Sequence, residues 1–473
     1  MIRPLLISLC ILLHVAGFGQ TKPCDCVANL DSVVKQMEKN YVGFEDKVKP
    51  QNKAAYQQWV QQLRLKAKPV KAAIPCFNII RTYIRYFGDR HLGFAYMQNG
   101  TPADSSTTHD PAYFTKAKLS ALEGIWQNAD STEWMAIKAT GKNRFQAYLV
   151  NSSNSTKKKG TVLFNFIQAG NRYLVTYPGI YNAHDFFAVQ RNNLLLVGGE
   201  TMWGKQGMRA DEAAELRTWR NNNKGLAVES LSAQTVLVRI PSFYQNDEAI
   251  ANLIAQHDVL IRSKDNLIID MRNNGGGSSG WVPLIPYLIT QPIQQGNSWI
   301  RVTPENVAKK LPDLAWYVNN PIPNELKKYF PEHILAAYKK AYEELPKTTA
   351  AYYPIPSVVF PLDSVLKQPK KVAILVDEYG GSSTEYFFFL SQQSAKTTRY
   401  GNHTIGMMDY EGNGTPTQLP YGEYILTIPI SRSSWTAKAP TNGKGFIPDV
   451  LLTHLPYAQW VPYVQQIMEK QQD

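Results

Sequence analysis

Hydrophobic residues recur at helical spacing through the first part of the chain. One apolar stripe covers residues 30–37 and a second covers residues 79–87. This spacing places apolar side chains on one face of a helix. We therefore predict an N-terminal helical region over residues 21–118.

From about Leu119 the apolar residues alternate with polar ones at a period of two. Clusters of Asn, Gly and Ser separate the alternating runs, which are Gly124–Trp126, Glu133–Ala139, Arg144–Val150, Thr161–Ile167, Tyr173–Tyr177 and Leu194–Val197. Short strands at regular spacing indicate a small antiparallel barrel or sandwich over residues 119–205. Nothing in this module carries chemistry, so we expect it to pack against the rest or to position a substrate.

The remaining chain alternates strands with helices and forms an α/β section in two parts, residues 206–300 and 358–473. Its predicted strands are Thr235–Ile240, Asn266–Asp270, Val372–Val376, Tyr424–Ile430 and Val450–Leu452. Residues 301–357, between the two parts, have a helical pattern interrupted by prolines. We expect that stretch to be a helical excursion over the core, or a lid.

Residues 1–20 contain Arg3, an apolar run and small residues, which is the pattern of a secretory signal. No later run is long and apolar enough to cross a membrane, so we expect an exported protein, periplasmic or extracellular. The 44% hydrophobic and 11% aromatic residues are typical of a globular protein. The net charge of +12 is scattered and no nucleic-acid-binding motif occurs, so no nucleic-acid partner is expected.

The four cysteines become informative once export is assumed. Removal of the signal would take Cys10 and leave an odd number, which suggests one disulfide and one free thiol. Cys24 and Cys26 are too close in sequence to pair comfortably. We therefore predict that one of these two bonds to Cys76. A metal site would lack a fourth ligand at useful spacing, and none is expected.

One strand–turn–helix stretch contains the first candidate for chemistry. The apolar run at residues 372–376 is followed by Gly380 and Gly381 and then by a helical pattern. Ser382 stands at the expected N-cap, and Glu385 follows three residues later as in a capping box. A hydroxyl at this end of a helix also lies beside free N–H groups that can hold an oxyanion. The stretch alone therefore predicts either a capping serine or a nucleophile.

A second glycine-rich turn follows the strand that ends at Asp270. Three glycines within residues 275–280 satisfy the dinucleotide fingerprint. However, Pro283 and Pro286 interrupt the helix that would receive a pyrophosphate, and no acidic residue follows about 20 positions later. We interpret the turn as a set of bare backbone N–H groups that can face an oxyanion, and we expect no cofactor.

These two turns and a Gly-x-Gly-x-x-Pro-Asp segment at residues 443–449 occur in the order found in the tail-specific, or C-terminal processing, serine peptidases. The chain resembles this family over roughly residues 235–290 and 358–456, with a short match at residues 88–91 and no evident PDZ domain. The resemblance implies a crotonase-like (Clp-peptidase-like) α/β core, here with an N-terminal helical region and an inserted β-rich, barrel-like domain. It also implies a serine endopeptidase that cleaves peptides or unfolded protein tails through an acyl-enzyme.

Carried over residue by residue, the resemblance makes Ser382 the nucleophile. It assigns the oxyanion hole to the N–H of Ser383 and to one N–H from the turn at Gly275 and Gly276. One branch of the family uses a lysine base, but Met407 stands at that position and a methionine cannot accept a proton. The branch similar to the tricorn core uses a histidine after an aspartate, and His91 occupies that place.

Two positions depart from the tricorn-like pattern. Arg90 stands where that branch has an auxiliary serine, and Asn442 lies near the expected glutamate. An asparagine can orient an imidazole but cannot stabilise an imidazolium as a carboxylate does. His403 lies in the loop that carries the lysine in the other branch, which makes it the alternative base. The departures leave open a second hypothesis, a family member with impaired catalysis that binds peptides. The oligomeric state is not predicted.

Overall fold

The computed structural model describes residues 24–98, 106–115, 118–412, 414 and 416–470, so the predicted signal segment lies outside the described residues. The helices α1 to α11 are Cys26–Asn40, Phe44–Lys47, Lys53–Ala67, Ala73–Arg85, Ala210–Arg217, Asp247–Arg262, Ile285–Leu288, Pro304–Asn319, Glu332–Glu344, Ser383–Ser391 and Trp460–Lys470. The strands β1 to β23 are Gly93–Met97, Gly124–Asn128, Glu133–Gly141, Arg144–Ser152, Val162–Ala169, Arg172–Thr176, Ile180–Asn182, Phe186–Arg191, Leu194–Val197, Thr201–Lys205, Ala227–Ser230, Thr235–Arg239, Asn266–Asp270, Ile293–Gln294, Ser298–Arg301, Tyr352–Ile355, Val359–Phe360, Lys371–Val376, Thr397–Gly401, Pro416–Gln418, Tyr424–Thr427, Ser431–Ser433 and Val450–Leu451.

The N-terminal helices pack their apolar stripes against one another in a single hydrophobic core. A disulfide between Cys26 and Cys76 joins α1 to α4, and Cys24 is a buried free thiol. The predicted disulfide is therefore confirmed, and Cys26 is the partner that sequence reasoning left open. None of the helices in the described ranges is long and apolar enough to span a membrane.

The alternating runs form a closed eight-stranded barrel with the order β10-β2-β3-β4-β5-β6-β8-β9. Aromatic side chains, including Trp126, Phe166 and Trp203, fill its interior. The barrel prediction is confirmed, but β8 and β10 were missed, and the barrel closes through β10 rather than at β9. The reason for missing β10 is physical: three consecutive residues of this strand are buried, so the alternation that marks a half-buried strand is absent.

The α/β core is a six-stranded sheet with the order β11-β12-β13-β18-β19-β23, in which only β11 runs antiparallel to its neighbour. Apolar clusters cover both faces of the sheet, with α6 and α10 on one side and α11 on the other. Burial on both faces explains why β13 and β18 are almost continuously apolar. Because β13 and β18 are parallel neighbours, with Asp270 opposite Leu375, the two glycine-rich turns emerge side by side.

One predicted core strand belongs elsewhere. The segment near Tyr424–Ile430 forms β21, which lies in a separate sheet with the order β20-β21-β1-β7. The prediction was wrong about its partner because an alternating, half-buried run does not reveal which strand it pairs with. In the structure, Gly93 of β1 lies opposite Thr427 of β21, which anchors the segment just after His91 to the C-terminal part of the chain.

The stretch between the two parts of the core contains α8 and α9, which pack together in a small hydrophobic core of their own. The strand β15 before α8 pairs with β16 and β22, which ties this helical hairpin to the core. Lys39 of α1 also forms an ion pair with Glu305 of α8 at 2.5 Å.

Candidate active site

Ser382 occupies the N-cap position immediately before α10, but its side chain does not cap the helix. Its φ of 50° and ψ of −119° are outside the conformations that residues with a Cβ prefer, and its hydroxyl makes no capping hydrogen bond. The predicted capping box is therefore wrong. The Glu385 carboxylate instead accepts hydrogen bonds from the Thr404 hydroxyl at 2.6 Å and from the backbone N–H groups of Gly406 and Met407 at 2.7 Å. The Ser382 hydroxyl is thus free of helix capping.

His91 comes from the loop between α4 and β1 and meets Ser382 from the other side. Its Nε2 lies 3.1 Å from the Ser382 Oγ, and its Nδ1 lies 2.5 Å from the backbone carbonyl of Tyr410. A carbonyl only accepts hydrogen bonds, so Nδ1 carries the proton in the neutral imidazole. This tautomer leaves Nε2 able to accept a proton from the Ser382 hydroxyl.

The His91 loop is held by a buried carboxylate. Asp89 is fully buried, and it accepts hydrogen bonds from the His91 backbone N–H and the Tyr41 hydroxyl, both at 2.9 Å. Burial raises the pKa of Asp89, and the nearby His91 lowers it. The backbone of Gly412 packs closely against the imidazole. A Cβ added at this glycine would lie 2.9 Å from the His91 ring. The imidazole is therefore held both by hydrogen bonds and by close backbone packing.

The turn after β13 packs directly against the nucleophile. Gly276 has a φ of 99°, and an added Cβ would lie 2.7 Å from the Ser382 Cβ and 2.9 Å from the Ser383 nitrogen. The Gly276 N–H donates to the Asn274 side chain at 2.9 Å. The N–H of the exposed Gly275, in contrast, has no protein acceptor among the residues described. The Ser383 hydroxyl donates to the Gly277 carbonyl at 2.7 Å and links the two turns. The N–H groups of Gly275 and Ser383 are the candidates for an oxyanion.

The buried carboxylate of Asp377 links the two glycine-rich turns. Asp377 follows β18 and accepts hydrogen bonds from the backbone N–H groups of Asn273 at 2.8 Å and Tyr379 at 3.1 Å, and from the Tyr457 hydroxyl at 3.0 Å. Burial, together with a smaller effect of the neighbouring Glu378, raises the pKa of Asp377 to about 6. Asp377 thus holds both turns, and it does so as an acid that is easier to protonate than usual.

The raised pKa of Asp377 predicts a pH-dependent contribution to stability. The folded protein binds this proton more tightly than the unfolded chain, so the free energy of unfolding falls as the pH rises from about 4 to about 6. Asp377→Asn should remove up to about 3 kcal/mol of that fall. Chemical denaturation of both proteins at pH 4 and pH 7 measures the difference. An identical pH dependence in the two proteins would show that the carboxylate is not protonated in this range.

The remaining predicted residues are placed as follows. Asn442 donates to the Gly88 carbonyl at 3.2 Å and does not hydrogen-bond to His91, so its predicted role in orienting the imidazole is wrong. The Tyr410 carbonyl occupies that role, because the chain around residue 410 passes closer to the ring.

The ring of His403 is exposed and makes no hydrogen bond to Ser382 in the described part of the chain. Met407 lies near the nucleophile, with its sulfur 2.9 Å from the position of an added Cβ on Gly381.

A cleft of about 310 Å³ lies beside the serine, between the barrel and the core. The core contributes Gly275, Gly276, Tyr379, Ile405 and Met407 to its lining, and the barrel contributes mainly apolar residues of β8 and β9. Arg90 also lines it. The cleft is therefore continuous with the glycine-rich turn that faces the nucleophile.

A serine at the carboxyl edge of a parallel α/β sheet, with backbone N–H groups beside it and a histidine within hydrogen-bond distance, is the arrangement of a serine-type peptidase. Residues 234–452 match the model of peptidase family S41. The predicted family and fold class are thus confirmed. None of the curated proteins matches the sequence.

Solved structures of peptidases are similar to this chain at low sequence identity. Mature CPAF complexed with lactacystin is 13% identical, with 94% of this chain and 97% of that chain covered and a TM-score of 0.51. A peptidase from Parabacteroides merdae is 12% identical over 94% of this chain and 97% of that chain, with a TM-score of 0.45. The tricorn protease is 14% identical over 95% of this chain and 37% of that chain, with a TM-score of 0.42.

Proposed function

We propose that the protein is an exported serine endopeptidase that hydrolyses peptides or unfolded protein tails through an acyl-enzyme. Ser382 is the nucleophile and His91 is the general base in this proposal. The observation that carries it is the 3.1 Å contact between His91 Nε2 and Ser382 Oγ. A serine hydroxyl becomes an effective nucleophile when a base within hydrogen-bond reach takes its proton.

The proposed reaction uses the groups in turn. As the Ser382 Oγ attacks the scissile carbonyl, its proton passes to His91 Nε2. The oxyanion of the tetrahedral intermediate is stabilised by the N–H groups of Gly275 and Ser383. The imidazolium then donates its proton to the leaving amine, and the acyl group remains on Ser382. A water molecule, deprotonated by His91, then attacks the acyl carbonyl, and His91 returns the proton to Ser382 Oγ as the acid product leaves.

The imidazolium formed in this reaction has no carboxylate bonded to Nδ1, since the Tyr410 carbonyl is its acceptor. A carbonyl fixes the ring orientation but supplies only a partial negative charge. Two buried carboxylates, Asp89 and Glu385, interact electrostatically with His91 without touching its ring nitrogens. We expect them to supply part of the stabilisation that a bonded carboxylate would give.

The second candidate function is a peptide-binding protein with impaired catalysis. The neutral acceptor on His91 Nδ1 favours it, because replacing the triad carboxylate by a neutral group lowers turnover strongly in other serine peptidases. This candidate predicts peptide binding without release of products.

Two further observations support export and a peptide substrate. The Cys26–Cys76 disulfide supports export, since disulfides persist mainly in oxidising compartments. The S41 family supports a peptide substrate.

Digestion of an unfolded protein tests the proposed function. Fluorescein-labelled casein incubated with the wild-type protein should yield fragments cut at internal bonds, identified by mass spectrometry. Stopped-flow measurement on a fluorogenic peptide ester should show a burst of about one product per enzyme if an acyl-enzyme accumulates. Binding of casein with no fragments and no burst would favour the peptide-binding protein instead.

A further inference from the structure

Arg90 lies between two residues that the site uses, yet neither catalysis nor the loop structure accounts for its side chain. Asp89 holds the loop, and His91 faces the nucleophile. The Arg90 side chain lies instead in the cleft beside the glycine-rich turn, with its guanidinium carbon 5.3 Å from the ring centroid of Phe187 on β8. A charged group thus lines the cleft beside the glycine-rich turn.

The guanidinium of Arg90 has no carboxylate within ion-pair distance among the residues that the structure describes. The neighbouring carboxylate, Asp185, is already paired with Arg81 at 2.5 Å and with Arg85 at 2.9 Å. Burial lowers the pKa of Arg90, and the positive charge of Arg172 lowers it further. This end of the cleft therefore carries an excess of positive charge.

Arg172 strengthens that excess. Its guanidinium carbon lies 4.1 Å from the centroid of the same Phe187 ring, so one ring contacts two cations. Glu200 also lines the cleft, but its side chain is exposed to solvent, where water screens its charge. Arg90 lines the cleft together with Gly275, Gly276 and Gly277 of the glycine-rich turn.

The walls of the cleft favour a strong interaction with an anion. Val189 and Leu196 from the barrel and Met407 from the core are apolar and exclude water from a bound ligand. Electrostatic attraction is stronger where water is excluded. The planar guanidinium presents paired N–H groups that match the two oxygens of a carboxylate.

We propose that Arg90 is a specificity residue that binds a carboxylate of the substrate in this cleft, beside the scissile bond. The carboxylate has two sources of the same chemistry: an Asp or Glu side chain near the scissile bond, or the free C-terminus of the substrate. The inference rests on the proposed function, because it assumes that the cleft receives the residues flanking the bond attacked by Ser382.

Binding measurements on the Ser382→Ala protein separate this proposal from catalysis. The probes are fluorescein-labelled peptides in matched pairs, with Glu or Gln at each position around the scissile bond and with a C-terminal carboxylate or carboxamide. In one of these pairs, fluorescence anisotropy should show that the peptide with the carboxylate binds at least about tenfold more tightly than its uncharged partner. That pair identifies the source of the carboxylate. Adding Arg90→Gln should reduce that preference to about twofold or less, whereas adding Arg217→Gln, the same change at an exposed site on α5, should preserve it.

Charge reversal provides the complementary test. Arg90→Glu in the same background should transfer the preference to peptides with Lys at the identified position, or to a C-terminus extended by Lys. A preference that survives Arg90→Gln, or that is absent from the Ser382→Ala protein, would overturn the proposal. Discrimination in binding without hydrolysis by the wild type would reject the proposed function alone, whereas hydrolysis that treats both members of every pair equally would reject the role of Arg90 alone.

Discussion

Ser382→Ala should lower kcat for peptide hydrolysis by roughly 10⁴-fold to 10⁶-fold. The loss is large because the Ser382 Oγ is the atom that forms the bond to the substrate, and His91 Nε2 has no other hydroxyl within hydrogen-bond distance in the described structure. We expect the variant to remain faster than uncatalysed hydrolysis in water, because the N–H groups of Gly275 and Ser383 would still stabilise an oxyanion. Hydrolysis of a fluorogenic peptide at saturating substrate measures the change in kcat.

The adjacent serine provides a matched control. The Ser383 hydroxyl donates one hydrogen bond to the Gly277 carbonyl and makes no hydrogen bond to His91 in the described structure. Ser383→Ala should lower the free energy of unfolding by about 1 kcal/mol and kcat by at most about tenfold. If Ser383→Ala were as damaging as Ser382→Ala, the loss would reflect the geometry of the two turns rather than a nucleophile.

His91→Ala should lower kcat by roughly 10³-fold to 10⁵-fold, the second largest effect that we expect. Without the imidazole, none of the groups that the structure describes lies within hydrogen-bond distance to take the Ser382 proton or return it to the leaving amine. Circular dichroism and thermal unfolding should show that the variant is folded, because the loop is also held by Asp89, whose carboxylate binds the backbone N–H and not the ring. The kcat of the purified variant on the same fluorogenic peptide measures the effect.

His403→Ala is the comparison for His91→Ala. Its ring is exposed and makes no hydrogen bond to the nucleophile, so we expect kcat within about twofold of the wild type, as for other surface substitutions. Should His403→Ala lose as much activity as His91→Ala, the general base would have been assigned to the wrong histidine.

Much of the site could be predicted from the sequence because its parts follow strands that the sequence reveals. The apolar runs of β13 and β18 mark buried parallel strands, and glycine residues mark the turns that follow them. Parallel neighbours bring their carboxyl ends to the same edge, which places Gly276 against Ser382. His91 required the order of motifs along the chain, since no local pattern distinguishes a catalytic histidine from a structural one.

The rest of the site could not be predicted because it depends on the backbone. The acceptor for His91 Nδ1 is a carbonyl of Tyr410, and every residue carries such a group. Asn442 was a reasonable prediction from motif position, but its side chain reaches Gly88 rather than the imidazole. Capping, one of the two roles that the local pattern leaves open for Ser382, is contradicted for a related reason: the helix begins with a strained backbone conformation that sequence patterns do not show.

The cooperation of Ser382 and His91 is the central claim, and a double variant tests it most directly. Two residues that act as one unit show non-additive losses, because either single change already disables the shared proton transfer. The account predicts that Ser382→Ala/His91→Ala loses no more kcat than Ser382→Ala alone, to within about threefold. Losses that multiply in the double variant would contradict it and show that the two residues act independently.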